Sequence, residues 1–328
     1  MKLRESVIIK IVVGVKSNMN LSTFDFAIIR NWMYRNARPL DLARWKYHFE
    51  DGTQEDVLNS LSVYQNQDGG FGHALEADSW NPNSTPIQTS TAMEILREIN
   101  FDDRNHPLIN GILKYLERGT DFKDGKWENT VLSNNDYPHA PWWHTDSDRV
   151  SRKEYNPTAI IAGFILEYAS KGSNLYLRGG NIAQELSNSF LQNPQLEMHP
   201  LLCVTHMLRY IDKANLENQF DYSNLVDVLS RQITDLIKKD VNSWNDYGCS
   251  PSVFIKSPES SFYKGNEDIL DKELDYIINT RNAEGIWNIT WNWNNYIKEF
   301  AISENWWKAN VVIKNMLLLQ SFGRIVES

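Results

Sequence analysis

The sequence is poor in cysteine, has no long apolar run and carries no excess of positive charge. Among its 328 residues only Cys203 and Cys249 are cysteines, which argues against a disulfide scaffold and favours a reducing, cytoplasmic location. The formal net charge is -9 and Lys and Arg form no cluster, so we expect no nucleic-acid partner. The apolar stretch 7–15 is interrupted by Lys10 and is too short for a bilayer, so we expect no stable membrane span.

The same stretch follows Lys2 and Arg4, which is the charge pattern of a secretory signal. No small-residue cleavage site comes after it, so we interpret 1–22 as an N-terminal extension instead. Helical periodicity begins only after this extension, inside which Met19 is an alternative start of translation. No shift of composition or linker divides the rest of the chain, and we therefore predict one domain over 23–328.

Short motifs for common cofactors and activated nucleophiles are missing. The chain contains no G-x-S-x-G, no G-x-G-x-x-G and no P-loop, and no Cys and His residues have the spacing of a structural zinc site. Two glycine pairs, Gly69-Gly70 and Gly179-Gly180, are interpreted as turns. We therefore predict that the protein uses no cofactor.

Apolar residues recur at three- and four-residue steps along most of the chain, and strand-like alternation is scarce. This pattern predicts an all-α fold of many medium-length helices. Four prolines, Pro86, Pro107, Pro157 and Pro200, lie just before or at the start of such runs, where a missing N–H costs least. The runs are Phe24–Met33, Gln54–Tyr64, Ser90–Ile99, Leu108–Leu116, Thr158–Tyr168, Leu201–Ile211, Leu225–Ile237, Ile269–Ile278 and Trp306–Phe322.

Three turns of one type are spaced along the chain. Each places an acid and a glycine before an aromatic residue: Asp68-Gly69-Gly70-Phe71, Asp124-Gly125-Lys126-Trp127 and Glu284-Gly285-Ile286-Trp287. Glycine allows the positive φ that ends a helix, the acid caps the next N–H groups, and the ring covers the helix end. The first two turns are about 56 positions apart and the last two about three such periods, which is typical of helical hairpins that repeat around a ring.

The first of these turns, read from Gln65 as Q-x-x-D-G-x-aromatic, resembles the QW repeat of squalene–hopene and oxidosqualene cyclases. Protein prenyltransferase β subunits carry similar turns. The second turn, read from Asp121, departs from the repeat at the Gln position, and the third, read from Arg281, departs at the Gln and acid positions. The resemblance implies a single-domain α/α toroid, a barrel of about six helical hairpins, and speaks more to the fold than to activity.

The catalytic motifs of these families are not found in the chain. The segment nearest to the D-x-D-D acid motif of proton-initiated cyclases, Asp146-Ser147-Asp148, lacks the following acid. In 102–106 a His replaces the last acid of the D-D-x-x-D motif that holds Mg²⁺ and diphosphate, and a solvated turn explains that segment better. The segment 246–249 resembles the start of a prenyltransferase zinc site, but all seven His lie at or before His206. We therefore predict no metal.

Trp and polar side chains concentrate in two connecting segments, one after each of the first two turns. Burial beside Trp rings raises a carboxyl pKa towards the range of a general acid, and a neighbouring His can relay a proton. Loops at corresponding positions of a toroid reach the same end of the barrel, so both segments are expected to face one mouth. The predicted catalytic residues are Glu76, Asp78, Asp136 and His139, and the predicted substrate-binding residues are His73, Trp80, Trp142, Trp143, His144, Asp146, Trp291 and Trp293.

Three functions fit this pattern. The family resemblance implies that an isoprenoid-like apolar molecule is bound or transformed in a central aromatic cavity, where aromatic faces stabilise cations. A glycosidase- or lyase-type enzyme would use paired carboxylates and Trp platforms. A non-catalytic interaction module would use the aromatic loops as a partner surface, with Glu76 and Asp78 only capping the loop and the next helix. The predicted partner is therefore a small molecule, apolar or glycan, and no oligomeric state is predicted.

Overall fold

The computed structural model describes residues 19–146, 154–239, 244 and 248–326. Within these ranges it has eleven α-helices and one two-stranded antiparallel sheet, which confirms the predicted all-α class. No helix of this part of the chain is long and apolar enough to cross a membrane. The helices are α1 Thr23–Asn36, α2 Pro39–Phe49, α3 Gln54–Ser62, α4 Pro86–Glu98, α5 Pro107–Arg118, α6 Thr158–Tyr168, α7 Asn174–Gln192, α8 Met198–Lys213, α9 Tyr222–Lys239, α10 Glu267–Asn279 and α11 Ile297–Ser321, and the strands are β1 Phe122–Lys123 and β2 Lys126–Trp127.

Capping residues and prolines define where several helices begin. Ser22 before α1 and Thr53 before α3 each accept the backbone N–H three residues later, and each of those residues returns a carboxylate to the cap. Proline occupies the first position of α2, α4 and α5, where its missing N–H leaves no intrahelical bond unmade. Of the predicted N-terminal extension, residues 1–18 lie outside the described ranges.

Two helices, α2 and α7, fall outside the predicted apolar runs. The interpretation of Gly179-Gly180 as a turn is wrong, because both glycines lie inside α7. A Cβ on Gly179 would lie 2.5 Å from Cγ2 of Ile165, so glycine lets α7 pack closely against α6. The apolar pattern of α2 is broken by Asp41 and Arg44, which are nevertheless buried.

The centre of the core is α6, all of whose residues are buried. It packs against α7 on one side and α8 on another. The Phe164 ring stacks on Tyr168, with centroids 4.5 Å apart, and meets Tyr210 of α8 edge-on at 6.1 Å. A Cβ on Gly163 would lie 2.8 Å from the Tyr210 ring, so this glycine allows α8 to approach. Close approach of three helices excludes water from this region, and such burial is the main stabilising contribution.

The two ends of the described chain lie side by side. The N–H of Leu21 donates to the carbonyl of Arg324 at 2.7 Å, and the N–H of Val326 donates to the carbonyl of Leu21 at 2.9 Å. Helix α11 packs against both α1 and α2, and Nη1 of Arg281 lies 2.6 Å from Oδ1 of Asp25. The first and last helices are therefore neighbours.

The three predicted acid-glycine-aromatic turns have the expected backbone. Their glycines have positive φ angles, +96° at Gly69, +79° at Gly125 and +80° at Gly285. The aromatic residues that follow, Phe71, Trp127 and Trp287, are all buried. In the first turn Oδ1 of Asp68 accepts the N–H of Gly70 at 3.0 Å. The predicted role of the acid is seen in this first turn. Gly125 instead lies in the loop between β1 and β2, and in the third turn Asn282 accepts the N–H groups of Glu284 and Ile286.

Substitutions in the first two turns separate backbone strain from crowding. A Cβ on Gly69 would lie 2.0 Å from the carbonyl oxygen of Gly111, whereas a Cβ on Gly125 would meet no atom within 4 Å. We expect Gly125→Ala to lower the free energy of unfolding by about 1–2 kcal/mol through the positive φ alone. Gly69→Ala should cost about 1–3 kcal/mol more, because the Gly111 backbone must move. Urea melts measure both, and equal costs would contradict the crowding argument.

Candidate active site

The two predicted site segments lie next to each other. The N–H of Ala140 donates to the carbonyl of Asp78 at 2.8 Å, and the N–H of Trp80 donates to the carbonyl of Pro138 at 2.9 Å. Ser79 and His139 form an isolated antiparallel bridge between the same segments. The loop that carries the predicted carboxylates therefore runs alongside the loop that carries the predicted histidines.

Asp78 is buried and is surrounded by indoles. Its Oδ1 accepts the indole N–H of Trp293 at 2.7 Å and that of Trp307 at 2.8 Å. Burial raises the pKa of Asp78, while hydrogen bonds from these two indoles and from Trp291 act in the opposite direction. Asp78 thus ties the segment before α11 and the first turns of α11 to its own loop.

Glu76 lies beside Asp78 and is also buried, with 8% of its surface exposed. Its Oε2 accepts the N–H of Asp78 at 3.0 Å. Burial raises the pKa of Glu76 well above its ordinary value, and the negative charge of Asp78 raises it further. The Trp143 indole and the Arg38 guanidinium counteract this shift in part, although Trp143 Nε1 makes no hydrogen bond of ordinary geometry to the described residues. Glu76 is therefore a carboxylic acid that holds its proton to a higher pH than usual.

The backbone just before Glu76 is strained. His73 and Ala74 both have positive φ angles, 60° and 59°, which non-glycine residues rarely adopt. Arg38 holds the segment by donating to the carbonyl of Ala74 at 2.8 Å and to that of Leu75 at 3.1 Å. Two consecutive residues in this conformation persist only where surrounding contacts fix them, and such strain concentrates at functional sites.

Tryptophan rings form a wall around the two carboxylates. Trp80 stacks on Trp306 with centroids 5.7 Å apart, and its indole N–H donates to Oγ of Ser303 at 2.8 Å. Trp291 meets Trp307 edge-on at 5.3 Å. Trp293, Phe300 and Ala140 form a small apolar cluster, against which Trp80, Trp143 and Ile289 pack.

A chain of polar side chains runs outward from His139. Its Nδ1 lies 2.6 Å from the carbonyl of Tyr137, which can only accept, so Nδ1 carries a proton. Its Nε2 lies 3.2 Å from Nδ1 of His144, and the two rings are stacked with centroids 5.4 Å apart. His144 is exposed, and its Nε2 lies 3.6 Å from Oδ1 of the exposed Asp146. This series links a buried imidazole to solvent.

Other predicted residues lie towards the surface. His73 is exposed and its Nε2 lies 2.9 Å from Oδ1 of Asn66. Trp142 has 45% of its surface exposed, and Asp136 is exposed at the end of the 3₁₀ turn Leu132–Asp136. Asp148 lies outside the described residues. The roles assigned to these side chains stay predictions.

Two clefts lie away from Glu76. One of about 440 Å³ is lined by Ile289, Trp287 and Glu273, among others, and Ile289 also packs against the Trp293 cluster. The other, of about 280 Å³, is lined by residues including Arg209 and Glu259. Glu76 lines neither of these clefts. No group of three His, Cys, Asp or Glu residues in the described ranges is arranged to hold a metal ion.

Neither family models, nor curated proteins, nor solved structures match this chain. The resemblance to cyclases and prenyltransferases therefore rests on the turn at Gln65–Phe71 and its spacing, and it stays an expectation. The chemistry must be inferred from the residues around Glu76.

The sequence pattern missed three contributors to this site. Trp306 and Trp307 belong to a predicted helical run, but α11 begins at Ile297, nine residues before that run. The helix brings the Trp307 indole to Asp78 and the Trp306 ring onto Trp80. Arg38 lies 38 positions before Glu76 and its contact with that loop depends on tertiary structure. The density of Trp between 287 and 307 was the available signal for the two indoles.

Proposed function

We propose that the protein is an enzyme that acts on a carbohydrate-type small molecule, with Glu76 as its general acid. The observation that carries this proposal is the buried Glu76, whose pKa is raised by burial and by Asp78, beside a wall of Trp rings. A carboxylic acid that keeps its proton to a higher pH than usual suits protonation of a leaving oxygen, as in cleavage of a glycosidic bond.

Acid strength favours a carbohydrate over an isoprenoid-like molecule. Protonation of an alkene or epoxide requires an unusually strong acid, and a raised pKa makes Glu76 a weaker one. The surroundings of the site also contain polar groups that suit hydroxyl recognition. Exposed Trp142 offers a flat face for a sugar ring. Exposed polar residues of the two site loops and of the segment before α11 include His73, Asn83, His144, Asp146, Asn292 and Asn294.

The other residues have supporting roles in this proposal. Asp78 keeps Glu76 protonated through its negative charge while the indoles of Trp293 and Trp307 hold it in place. The His139–His144 pair extends from the loop beside Asp78 to solvent, because His139 is buried and His144 is exposed. Hydrolysis and elimination each need a base in addition to this acid.

An isoprenoid-like ligand is the second candidate function. The observation that favours it is the number of indole faces near the carboxylates, including the stacked Trp80–Trp306 pair and the Trp291–Trp307 pair. Such faces attract a positively charged transition state. This function matches the family resemblance, but it needs an acid other than one with a raised pKa.

The arrangement of the helices as an α/α toroid is part of the same proposal. Its support is the pairing of Leu21 with the Arg324–Val326 segment and the packing of α11 on α1 and α2, which brings the ends of the chain together. A cytoplasmic location is likewise proposed, because two cysteines form no disulfide scaffold.

A ligand panel tests the proposed function. Purified protein is titrated with neutral oligosaccharides, uronate oligosaccharides and farnesol while Trp fluorescence is followed, and new reducing ends and unsaturated products are then measured. We expect one carbohydrate class to change the fluorescence and to be cleaved. Quenching by farnesol alone would favour the isoprenoid-like function, and no response to any ligand would favour an interaction module.

A matched pair of variants tests whether the carbohydrate binds at this site. Trp142→Ala should weaken carbohydrate binding about tenfold, because stacking on the exposed ring is lost. Tyr34→Ala removes an aromatic ring of similar exposure, 47%, on α1 and should leave binding unchanged. Equal effects of both variants would contradict the proposed platform.

A further inference from the structure

Four basic side chains act electrostatically on His206 in the interior of the fold, and we call these five residues the interior basic cluster. They come from elements that are far apart in the sequence: α4, α8, α11 and the segment after the 3₁₀ turn Pro251–Val253. Nη2 of Arg97 lies 3.5 Å from Nε2 of His206. The members of the cluster are Arg97, His206, Arg209, Lys256 and Lys314.

The cluster is surrounded by protein and yet reached by solvent. Burial is the largest cause of the lowered pKa of His206, Arg209, Lys256 and Lys314. Arg209, Lys256 and Lys314 nevertheless have exposed side chains by surface area. These three side chains therefore lie deep within the fold and still keep contact with solvent.

Hydrogen-bond donors in the cluster lack acceptors. Arg97 can only donate, so Nε2 of His206 accepts from it and the imidazole proton lies on Nδ1. Nδ1 of His206 and Nη1 of Arg97 are both buried, and neither has a hydrogen-bond partner among the described residues. His206 itself has only 5% of its surface exposed. Buried donors without acceptors are costly, and they indicate an unfilled binding role.

Nearby carboxylates are only partly available to neutralise the cluster. Glu94 and Glu98 face Lys314, but Glu98 is also bound to Arg44 at 2.5 Å. Glu273 faces Lys256 and accepts the backbone N–H of Ser252. Besides burial, the charged groups that lower the pKa of His206 are all cationic. Arg97 likewise lowers the pKa of Arg209. Positive charge therefore dominates around Arg97, His206 and Arg209.

We propose that the interior basic cluster is a binding site for a small oxyanion, namely the phosphate or carboxylate group of a small molecule. An anion placed among Arg97, His206 and Arg209 would accept from the two donors that lack partners and would offset the repulsion between the cations. The chain as a whole has a formal net charge of -9, so this concentration of positive charge is local. The site does not depend on the proposed carbohydrate chemistry at Glu76.

Binding of an anion here is coupled to proton uptake. Burial and the adjacent Lys314 lower the pKa of Lys256 to about 7, against the opposing effect of Glu273. Arg209 and Arg97 also face Lys256 and lower its pKa. A bound anion favours the protonated amine, so phosphate affinity should be higher below pH 7 and should fall as pH rises above it.

Thermal denaturation with inorganic phosphate and with citrate tests the site, with sodium chloride at equal ionic strength as the reference. We expect phosphate or citrate to raise Tm by about 4 °C at a concentration about 100-fold above Kd. A rise with phosphate alone identifies a phosphate ligand, and a rise with citrate alone identifies a carboxylate ligand. Equal Tm values in all three salts would overturn the proposal.

Variants that remove a positive charge test whether the anion-dependent rise in Tm comes from the interior basic cluster. Arg97→Met and Lys256→Met should each raise Tm in chloride, because repulsion is relieved, and should each lose the anion-dependent rise. Lys171→Met removes an exposed lysine from the surface and should retain the full rise. Retention of the rise in both cluster variants would overturn the proposal, whatever their Tm in chloride.

Discussion

Glu76→Gln is expected to fold normally and to lower kcat about 100- to 10,000-fold on the true substrate, with little change in ligand binding. The substitution keeps the size and the acceptor oxygen that receives the N–H of Asp78, but it removes the transferable proton. Fluorescence titration measures binding and product formation measures kcat.

Stability provides a second measurement on the same variant. A raised pKa means that the folded protein prefers the protonated form, so this contribution to stability is present below the ordinary pKa of glutamate and is lost as pH rises towards the raised value. Glu76→Gln removes this loss, and its Tm should therefore equal or exceed that of the wild type at pH 8. A lower Tm at pH 8, together with lost turnover, would instead indicate a structural role.

The control is Glu167→Gln on α6. Glu167 is as deeply buried as Glu76, and its Oε1 lies 2.9 Å from Nζ of Lys213, away from the Trp wall. We expect this variant to retain wild-type kcat whatever its effect on stability. Loss of turnover in both variants to the same degree would contradict a specific role for Glu76.

The pH profile distinguishes an acid from a binding group. Because the protonated form of Glu76 is the active one, kcat/KM should fall as pH rises through its raised pKa. Asp78→Asn keeps an oxygen for the indoles of Trp293 and Trp307 but removes the charge that helps to raise this pKa. The alkaline fall of kcat/KM should therefore move to lower pH in Asp78→Asn, and an unmoved profile would contradict the pairing of the two carboxylates.

The sequence predicts the loop residues of the candidate active site better than the Trp rings that α11 contributes to it. Glu76, Asp78 and His139 lie in short segments rich in Trp and polar residues, so local composition alone is enough to propose them. Trp306 and Trp307 lie within an apolar helical run, and periodicity cannot tell a core ring from one that faces a carboxylate. Their role follows from where α11 begins, which is set by tertiary contacts.

The apolar pattern of the sequence likewise predicts most of the helices but not all of them. Runs with apolar residues at three- and four-residue steps are found as helices, with α6 matching its predicted bounds of Thr158–Tyr168. Helix α2 lacks that pattern because its buried face carries Asp41 and Arg44, whose burial is made possible by partners elsewhere. The interior basic cluster cannot be recognised in the sequence for a related reason, since its five members come from four elements that are far apart along the chain.

Arg44→Met is expected to lower the free energy of unfolding by about 3–5 kcal/mol. Arg44 is buried, and its guanidinium lies 3.0 Å from Oδ1 of the buried Asp41 and 2.5 Å from Oε2 of Glu98. Removing one partner of a buried ion network leaves the carboxylates without full compensation, which costs more than the pair itself contributes. Urea denaturation at pH 7 measures the loss.

At acid pH the free energies of unfolding of Arg44→Met and of the wild type should differ less than at pH 7. Burial acts to raise the pKa of Glu98, but the adjacent Arg44 and His48 hold it well below its usual range. Stability from such an interaction is present above the ordinary pKa of glutamate and is lost as pH falls. Arg44→Met should therefore lose less stability between pH 7 and pH 3 than the wild type loses. A constant difference would contradict the ionic origin of the effect.

The exposed pair of Arg30 and Glu50 provides the control for this network. Nε of Arg30 lies 3.9 Å from Oε1 of Glu50 and the arginine side chain is 56% exposed, so Arg30→Met should cost no more than about 1 kcal/mol. The network also reaches the candidate active site, because Asp41 accepts from Arg38 at 2.7 Å and Arg38 holds the loop before Glu76. Arg44→Met should consequently reduce kcat even where the variant is fully folded, while Arg30→Met should not.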